Sequence, residues 1–304
     1  MSHSFYSKGK FLLTGEYFVM EGSLALAVPL KQGQHLLVEK HKDAKPEIKW
    51  ESYINNKLWF LATYDYNSLD IIDTNDLHIA NYLHKLLNYI KDKSDVLSED
   101  MAIQIKTQLE FLPEWGLGSS SSLISNLAWW ADIDPYELFF SLFEGSGYDI
   151  ACARSDSAIL YQYKDKPVIN SVKFEPDFLN KMYFVYLGKK QDSLLSVRKN
   201  KAKIKGKTSE IDKITKLTRA VVESKTLDEF ENYINEDEEI ISKSINESTV
   251  KSKYFPDFKG TVKSLGAWGG DFVMATYKGE SDEMKNYFNR KGLDVIFPYK
   301  ALVL

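Results

Sequence analysis

Residues 116–122 read Gly-Leu-Gly-Ser-Ser-Ser-Ser and stand between an alternating stretch, Ala102–Glu110, and a stretch with helical spacing. Glycines let a backbone come close to an anion. The amides at a helix N-terminus lack internal partners and carry positive potential. A glycine-serine turn that opens a helix therefore makes a phosphate cradle, here from Gly116, Leu117, Gly118, Ser119, Ser120 and Ser121. Serine hydroxyls add donors, and one of them can ligate Mg2+. The segment is not a Walker loop, which would end in Gly-Lys-Ser/Thr. The competing reading is a turn that does no more than cap its helix.

Three other places could contribute. Gly266-Ala-Trp-Gly-Gly-Asp271 precedes a strand and is either a tight turn or a second wall of the same pocket. Gly145-Ser-Gly-Tyr-Asp149 ends in a carboxylate that is either a turn residue or a base. Lys10 follows Gly9 at the start of a strand. A lone lysine is ordinarily a surface residue, but beside a phosphate it would stabilise transferring charge. Other chemistry is not supported. The histidines (His3, His35, His41, His78, His84) have no metal-ligand spacing, and neither HExxH nor Gly-x-Ser-x-Gly occurs.

The elements that must position these residues follow from periodicity. Phe11–Leu13 and Ala25–Leu30 read as strands around a turn at Glu21-Gly22, and Gln34–Glu39 and Glu47–Trp50 continue the β character. Asn55-Asn56 is a hairpin signal. Ile79, Tyr82, Leu83, Leu86, Leu87 and Ile90 recur at helical spacing, whereas Ala102–Glu110 alternates as a half-buried strand. A helix follows the serines, and Asp134-Pro135 starts another, with Asp as N-cap and Pro in the first turn. Ala158–Tyr163 and Met182–Leu187 are strands; Ile211–Ser224 and Leu227–Ser248 are helical. Phe272–Tyr277 is a strand, Asp282–Lys291 a helix, and Leu293–Phe297 and Ala301–Leu304 finish as β. The mixture argues an α+β protein in two lobes, with the polar Lys164–Pro167 at their boundary.

Bulk properties narrow the class. Of 304 residues, 44% are apolar and 27% charged, enough to build an ordinary core. The net charge of −4 argues against general nucleic-acid binding. Lys199–Lys207 is locally basic: a solvated loop, or a cationic flap that meets phosphates. A single cysteine, Cys152, permits no internal disulfide and reads as a buried small side chain in a reducing, cytoplasmic setting. No apolar run has the length of a signal sequence or a membrane span.

In order, these segments resemble the motifs of the GHMP kinase superfamily. Gly9–Pro29 is similar to its first motif, Pro113–Ser122 to its second (Pro-x-x-x-Gly-Leu-Gly-Ser-Ser, here with two residues rather than three after Pro113), and Gly266–Gly270 to its third. The resemblance spans nearly the whole chain. It implies an N-terminal ATP-binding domain over 1–170, like domain 2 of ribosomal protein S5, and a ferredoxin-like C-terminal domain over 171–304. ATP and Mg2+ would lie between them. Lys10 falls at the lysine near the reacting phosphoryl group, Ser120 at the serine that contacts Mg2+, and Asp149 at the catalytic aspartate of mevalonate-type members. Glu16, Ser146, Gly147, Ser193, Gly266, Ala267 and Gly269 fall at substrate-side positions.

Within the superfamily, Asp149-Ile-Ala151 and Gly269-Gly-Asp271 are similar to segments of phosphomevalonate kinases. Mevalonate kinase is the alternative, and a nucleotide-binding protein without kinase activity is a third reading. Glu16 is followed by Tyr17-Phe18 rather than His-Thr-Asp, which disfavours galactokinase. Gly188–Ser193 is similar to a Thr-Gly-x-x-x-Ser substrate segment, with Leu187 in place of Thr and four residues rather than three before Ser193. Trp268 stands where the family has Gly, and would narrow the pocket or reshape the loop. Glu137 and Glu144 are candidates for the carboxylate ligand of Mg2+. The expected ligands are a small-molecule substrate and the nucleotide, with no nucleic acid and no membrane, in a monomer or homodimer.

Overall fold

The computed structural model describes residues 2–42, 44–99, 101–189 and 193–304, with side chains from 195 onward in the last segment. It is an α+β protein with two compact units. The first comprises 1–9, 32–113 and 118–154; the second comprises 10–31, 114–117 and 155–304.

The first unit holds most of strand β1 (Ser2–Leu12) and the later part of β2 (Leu24–His41). It continues with β3 (Glu47–Ile54), β4 (Lys57–Asp65), β5 (Ile71–Thr74), helix α1 (Leu77–Lys93) and β6 (Ala102–Leu109). Three helices follow: α2 (Ser119–Ala131), α3 (Pro135–Leu142) and α4 (Tyr148–Ala153). The strand order is β5-β4-β3-β6-β2, and β3 runs parallel to β6. Alternation is clean in β6, so one face is buried. Asn55 and Asn56 both take positive φ (49° and 61°) and close the β3–β4 hairpin, as the Asn-Asn signal predicts. Asp134 caps α3 by accepting from the Tyr136 amide. Trp50, Phe60, Tyr64, Leu86, Leu87 and Leu127 are central to the core between sheet and helices.

The second unit begins with the end of β1 and the first part of β2, which pairs with β7 (Ile159–Tyr163). Lys164–Pro167 turns β7 into β8 (Pro167–Ser171), a strand the sequence did not signal. After β9 (Met182–Tyr186) come α5 (Ser193–Ile204), α6 (Thr208–Glu223), α7 (Leu227–Ile245) and α8 (Val250–Tyr254). The chain ends with β10 (Val262–Ser264), β11 (Phe272–Thr276), α9 (Ser281–Asn289), β12 (Ile296–Pro298) and α10 (Tyr299–Leu302). An antiparallel sheet runs β10-β11-β9-β12.

Two local expectations are corrected. Lys199–Ile204 is helical rather than a loop: lysine is a good helix former, and only Lys205–Lys207 breaks the run before α6. The C-terminal Ala301–Leu304 is not a strand. Pro298 opens a helical turn that buries Tyr299 and Leu302 on one side, and only Val303 bridges to Leu30. No helix among the described residues is long and apolar enough to cross a membrane. Cys152 is buried, as expected.

Candidate active site

The glycine-serine segment rests on backbone conformations that favour glycine. Gly116 and Gly118 have φ of +67° and +95°, a left-handed region that costs other residues about 1–2 kcal/mol. Gly118 is the N-cap of α2 and offers no side-chain cap, so the first-turn amides of Ser119, Ser120 and Ser121 face outward without intrahelical acceptors. Ser120 is exposed. Ser122 is committed elsewhere: it is buried, and its hydroxyl donates to Gln34 Oε1 at 2.8 Å. The mouth of the helix therefore has three serines outside the core, the chemistry of an anion site.

A polar network fixes that helix from behind. The Ser7 hydroxyl donates to Asn126 Oδ1 at 2.8 Å, Asn126 Nδ2 donates to the Gln34 carbonyl at 2.8 Å, and Arg154 donates to the Ser125 carbonyl at 2.7 Å. All lie in the first unit. Such buried polar groups are stable only when paired, and here pairing ties α2 to β1, β2 and the end of α4. Asp149 lies half-buried in the first turn of α4, whose N-cap is Gly147 (φ +80°). A carboxylate is favoured there by the helix dipole. Ser146 and Gly147 are buried, and a Cβ on Gly147 would press on the rings of Phe140 and Tyr136.

In the second unit the start of the same segment is held by Lys10. Its amide donates to the Leu117 carbonyl at 3.0 Å and its ammonium to the Gly116 carbonyl at 3.2 Å. Trp115 packs against Phe297 and Phe272, with ring centroids 5.4 and 5.9 Å apart. Asp271 approaches from the third glycine segment: a Cβ on Gly116 would lie 2.3 Å from its Oδ2. Sequence positions 10, 116 and 271 thus meet around one glycine.

Gly266 and Gly269 both take positive φ, and Ala267 is buried between them and β10. Trp268 is fixed rather than loose. Its amide donates to Tyr17 Oη at 2.8 Å, its indole donates to the Ser248 carbonyl at 3.1 Å, and its ring packs with Tyr17, Ile204 and Ile241. These contacts anchor the loop. Ser193 opens α5, but its side chain, with residues 190–192, lies outside the described residues.

Glu16 is 1% exposed and accepts from the fully buried Lys263 at 2.8 Å. Asp237 and Glu238 complete the cluster, 3.0 and 3.4 Å from the same ammonium. Burial, reinforced by Asp237, pushes the Glu16 carboxyl up to about 8. Burial also raises Asp237 and Glu238. Burial alone would lower Lys263, but the three carboxylates together hold it above its ordinary value. One ammonium cannot neutralise three buried carboxylates, so protons remain in the cluster at neutral pH. Sequence reasoning missed Lys263, Asp237 and Glu238. A lysine in a three-residue strand and two acids on a helix carry no local signal.

Of the acids considered for a metal, Glu137 accepts from Tyr89 at 3.1 Å, and Glu144 is exposed. Among the described residues no three His, Cys, Asp or Glu side chains form a cation cage. Mg2+ does not require one, because it is commonly held through substrate phosphates, waters and one or two side chains. Ser120, an exposed residue at an open helix terminus whose hydroxyl lies within hydrogen-bonding reach of Tyr82, fits that donor set.

The sequence matches no protein-family model and no curated protein. Solved structures do match. L. major mevalonate kinase in complex with R-mevalonate is 15% identical, with 97% of this chain and 94% of that one covered at a TM-score of 0.66. Streptococcus pneumoniae phosphomevalonate kinase, with phosphomevalonate and AMPPNP, is 16% identical, with 97% and 99% covered at 0.70. A D-glycero-D-manno-heptose 1-phosphate kinase from Bacteriodes thetaiotaomicron is 16% identical, with 98% and 95% covered at 0.66. Near-complete coverage of both chains in each pair, with the three glycine segments in order, makes the architecture plain: the chain has the fold of the GHMP kinases.

Proposed function

We propose that the chain is an ATP-dependent small-molecule kinase, with phosphomevalonate as its acceptor. The observation that carries the reading is the open N-terminus of α2, preceded by two left-handed glycines, the first of which Lys10 grips at its carbonyl. That combination suits a triphosphate, because a glycine N-cap leaves the first-turn amides without a side-chain acceptor and so open to an anion.

In this mechanism the amides from Gly116 to Ser121 hold the phosphates. The Lys10 ammonium, held at the Gly116 carbonyl, offsets charge that grows on the transferred phosphoryl group. Mg2+, when bound with the nucleotide, would neutralise phosphate charge, with the Ser120 hydroxyl as its protein ligand. Asp149 would take or orient the acceptor proton if the acceptor is an alcohol. With an ionised phosphate as acceptor it would position its neighbours instead. Ser146, Gly147, Ser193, Gly266, Ala267 and Gly269 would shape the acceptor side, with Glu16 supporting them from the buried cluster. Residues 1–170 would carry nucleotide binding and 171–304 the C-terminal domain.

Mevalonate kinase activity is the second reading, supported by the near-complete match to the L. major enzyme. ADP release measured with mevalonate, phosphomevalonate, homoserine and several sugars separates the cases. Turnover with phosphomevalonate is expected. Turnover with sugars alone would refute the acceptor assignment, and nucleotide binding without ADP release from any acceptor would refute the kinase.

A further inference from the structure

A cavity of about 750 Å³ opens in the second unit, lined by Lys189, Lys199, Lys203, Lys253, Trp268 and Gly269, together with the residues that join α7 to α8. Its size is that of a small-molecule pocket. Among the described residues, four lysines line it against one carboxylate, Glu247. The overall chain is acidic, so this concentration of positive charge is local.

The cations come from separate elements and are pre-placed by weak partners. Lys199 and Lys203 are one turn apart on α5 and share a face. Lys203 donates to the Ile245 carbonyl at 2.7 Å, at the C-terminal end of α7 where the dipole favours a cation. Lys199 pairs with Glu247 at 2.6 Å. The Lys253 and Lys189 ammonium groups lie 5.0 and 5.9 Å from the centre of the Tyr254 ring. An ammonium has three donors, so a carbonyl or a ring leaves most of its capacity for a ligand. Like charges held together repel, and an anion among them removes that cost. Phosphate, with up to two charges and three acceptor oxygens, matches several ammonium groups better than a single carboxylate does. Trp268 and Val250, both largely buried, form an apolar edge of the cavity wall.

We propose that this cavity binds a phosphate-bearing small molecule, through Lys199, Lys203 and Lys253, against Trp268. Its source is either the acceptor of the proposed reaction or a phosphorylated effector; in the first case the inference rests on the kinase reading, and in the second it does not.

The test is calorimetric titration of the full chain with inorganic pyrophosphate, with and without saturating AMPPNP to occupy the nucleotide site. Pyrophosphate is expected to bind in both conditions. K203A/K253A should weaken it by about tenfold or more, since each charge-assisted contact is strong. K213A, on an exposed part of α6, should leave it unchanged. Pyrophosphate should also change tryptophan emission in the wild type and not in W268F. Failure to bind in the presence of AMPPNP, or full affinity in K203A/K253A, would overturn the proposal. A chain that binds pyrophosphate but no AMPPNP would overturn the kinase reading and leave the cavity site standing. Kinetics then identify the source. A raised KM for the phosphorylated acceptor in K203A/K253A, with KM for ATP unchanged, marks the acceptor. Unchanged KM values, with pyrophosphate altering the wild-type rate alone, mark an effector.

Discussion

The Lys263 ammonium lies 2.8 Å from Glu16 Oε2, and neither side chain is more than 1% exposed. This pair joins the segment after β1 to strand β10, immediately before the third glycine segment. Replacing Lys263 by Met would leave Glu16, Asp237 and Glu238 buried without their cation. Removing one partner of a buried ion pair costs about 3–5 kcal/mol. The denaturant midpoint of K263M should fall accordingly, without a change in m-value. A midpoint within error of the wild type would show that the cluster contributes nothing.

Stability should also depend on pH through the same cluster. The folded-state Glu16 carboxyl is held up to about 8, against an ordinary 4.5. The folded chain therefore binds the extra proton between these values. The associated stability is fully present below about pH 4.5 and is lost as pH rises through about 8. Asp237 and Glu238 shift in the same direction. E16Q removes one of these titrations while keeping the shape. Midpoints compared from about pH 6 to about pH 9 should fall less steeply in E16Q than in the wild type. Parallel profiles would contradict a raised Glu16.

Gly116→Ala and Gly269→Ala should differ. Both positions have positive φ, so both incur backbone strain of roughly 1 kcal/mol. A Cβ at Gly269 meets nothing within 4 Å, whereas one at Gly116 would lie 2.3 Å from the Asp271 carboxylate. G116A must displace Asp271 or shift the carbonyl that Lys10 holds. Its affinity for AMPPNP should fall by about tenfold or more, as a displaced phosphate contact would require. G269A should retain affinity within about threefold, because its strain is not compounded by a clash. Equal effects would argue that Asp271 plays no part in shaping the loop.

Asp149→Asn tests the acceptor. Loss of a general base typically costs about 10²–10⁴ in rate. That loss is expected with an alcohol acceptor and a much smaller one with a phosphate acceptor, measured as kcat in steady-state ADP release. Near-wild-type turnover on both would exclude Asp149 from the chemistry.

What could be read in advance was local. Asn55-Asn56, the Asp134 cap, the alternation of β6 and the glycines around Leu117 each carry their conformational reason within a few residues. The rest depends on distant partners. Lys263 is an unremarked lysine until it is found opposite Glu16, 247 positions away. Trp268 looks like an obstacle until Tyr17 and Ser248 are seen to hold it. Lys199 and Lys203 face a cavity because α5 lies beside the end of α7, a fact of packing and not of periodicity. Ser122 resembles its three neighbours in sequence but is set apart by Gln34.

The Glu16–Lys263 pairing also bears on how the chain folds as it is made. Glu16 leaves the ribosome 247 residues before the ammonium it pairs with. Residues 10–31 belong with 155–304, so their apolar side chains must wait unburied while the first unit is completed between them. Long-range closure of this kind is slow and leaves surface open to aggregation. Nascent chains halted before Lys263 should therefore be protease-sensitive over residues 10–31, even where residues 32–113 and 118–154 are already protected.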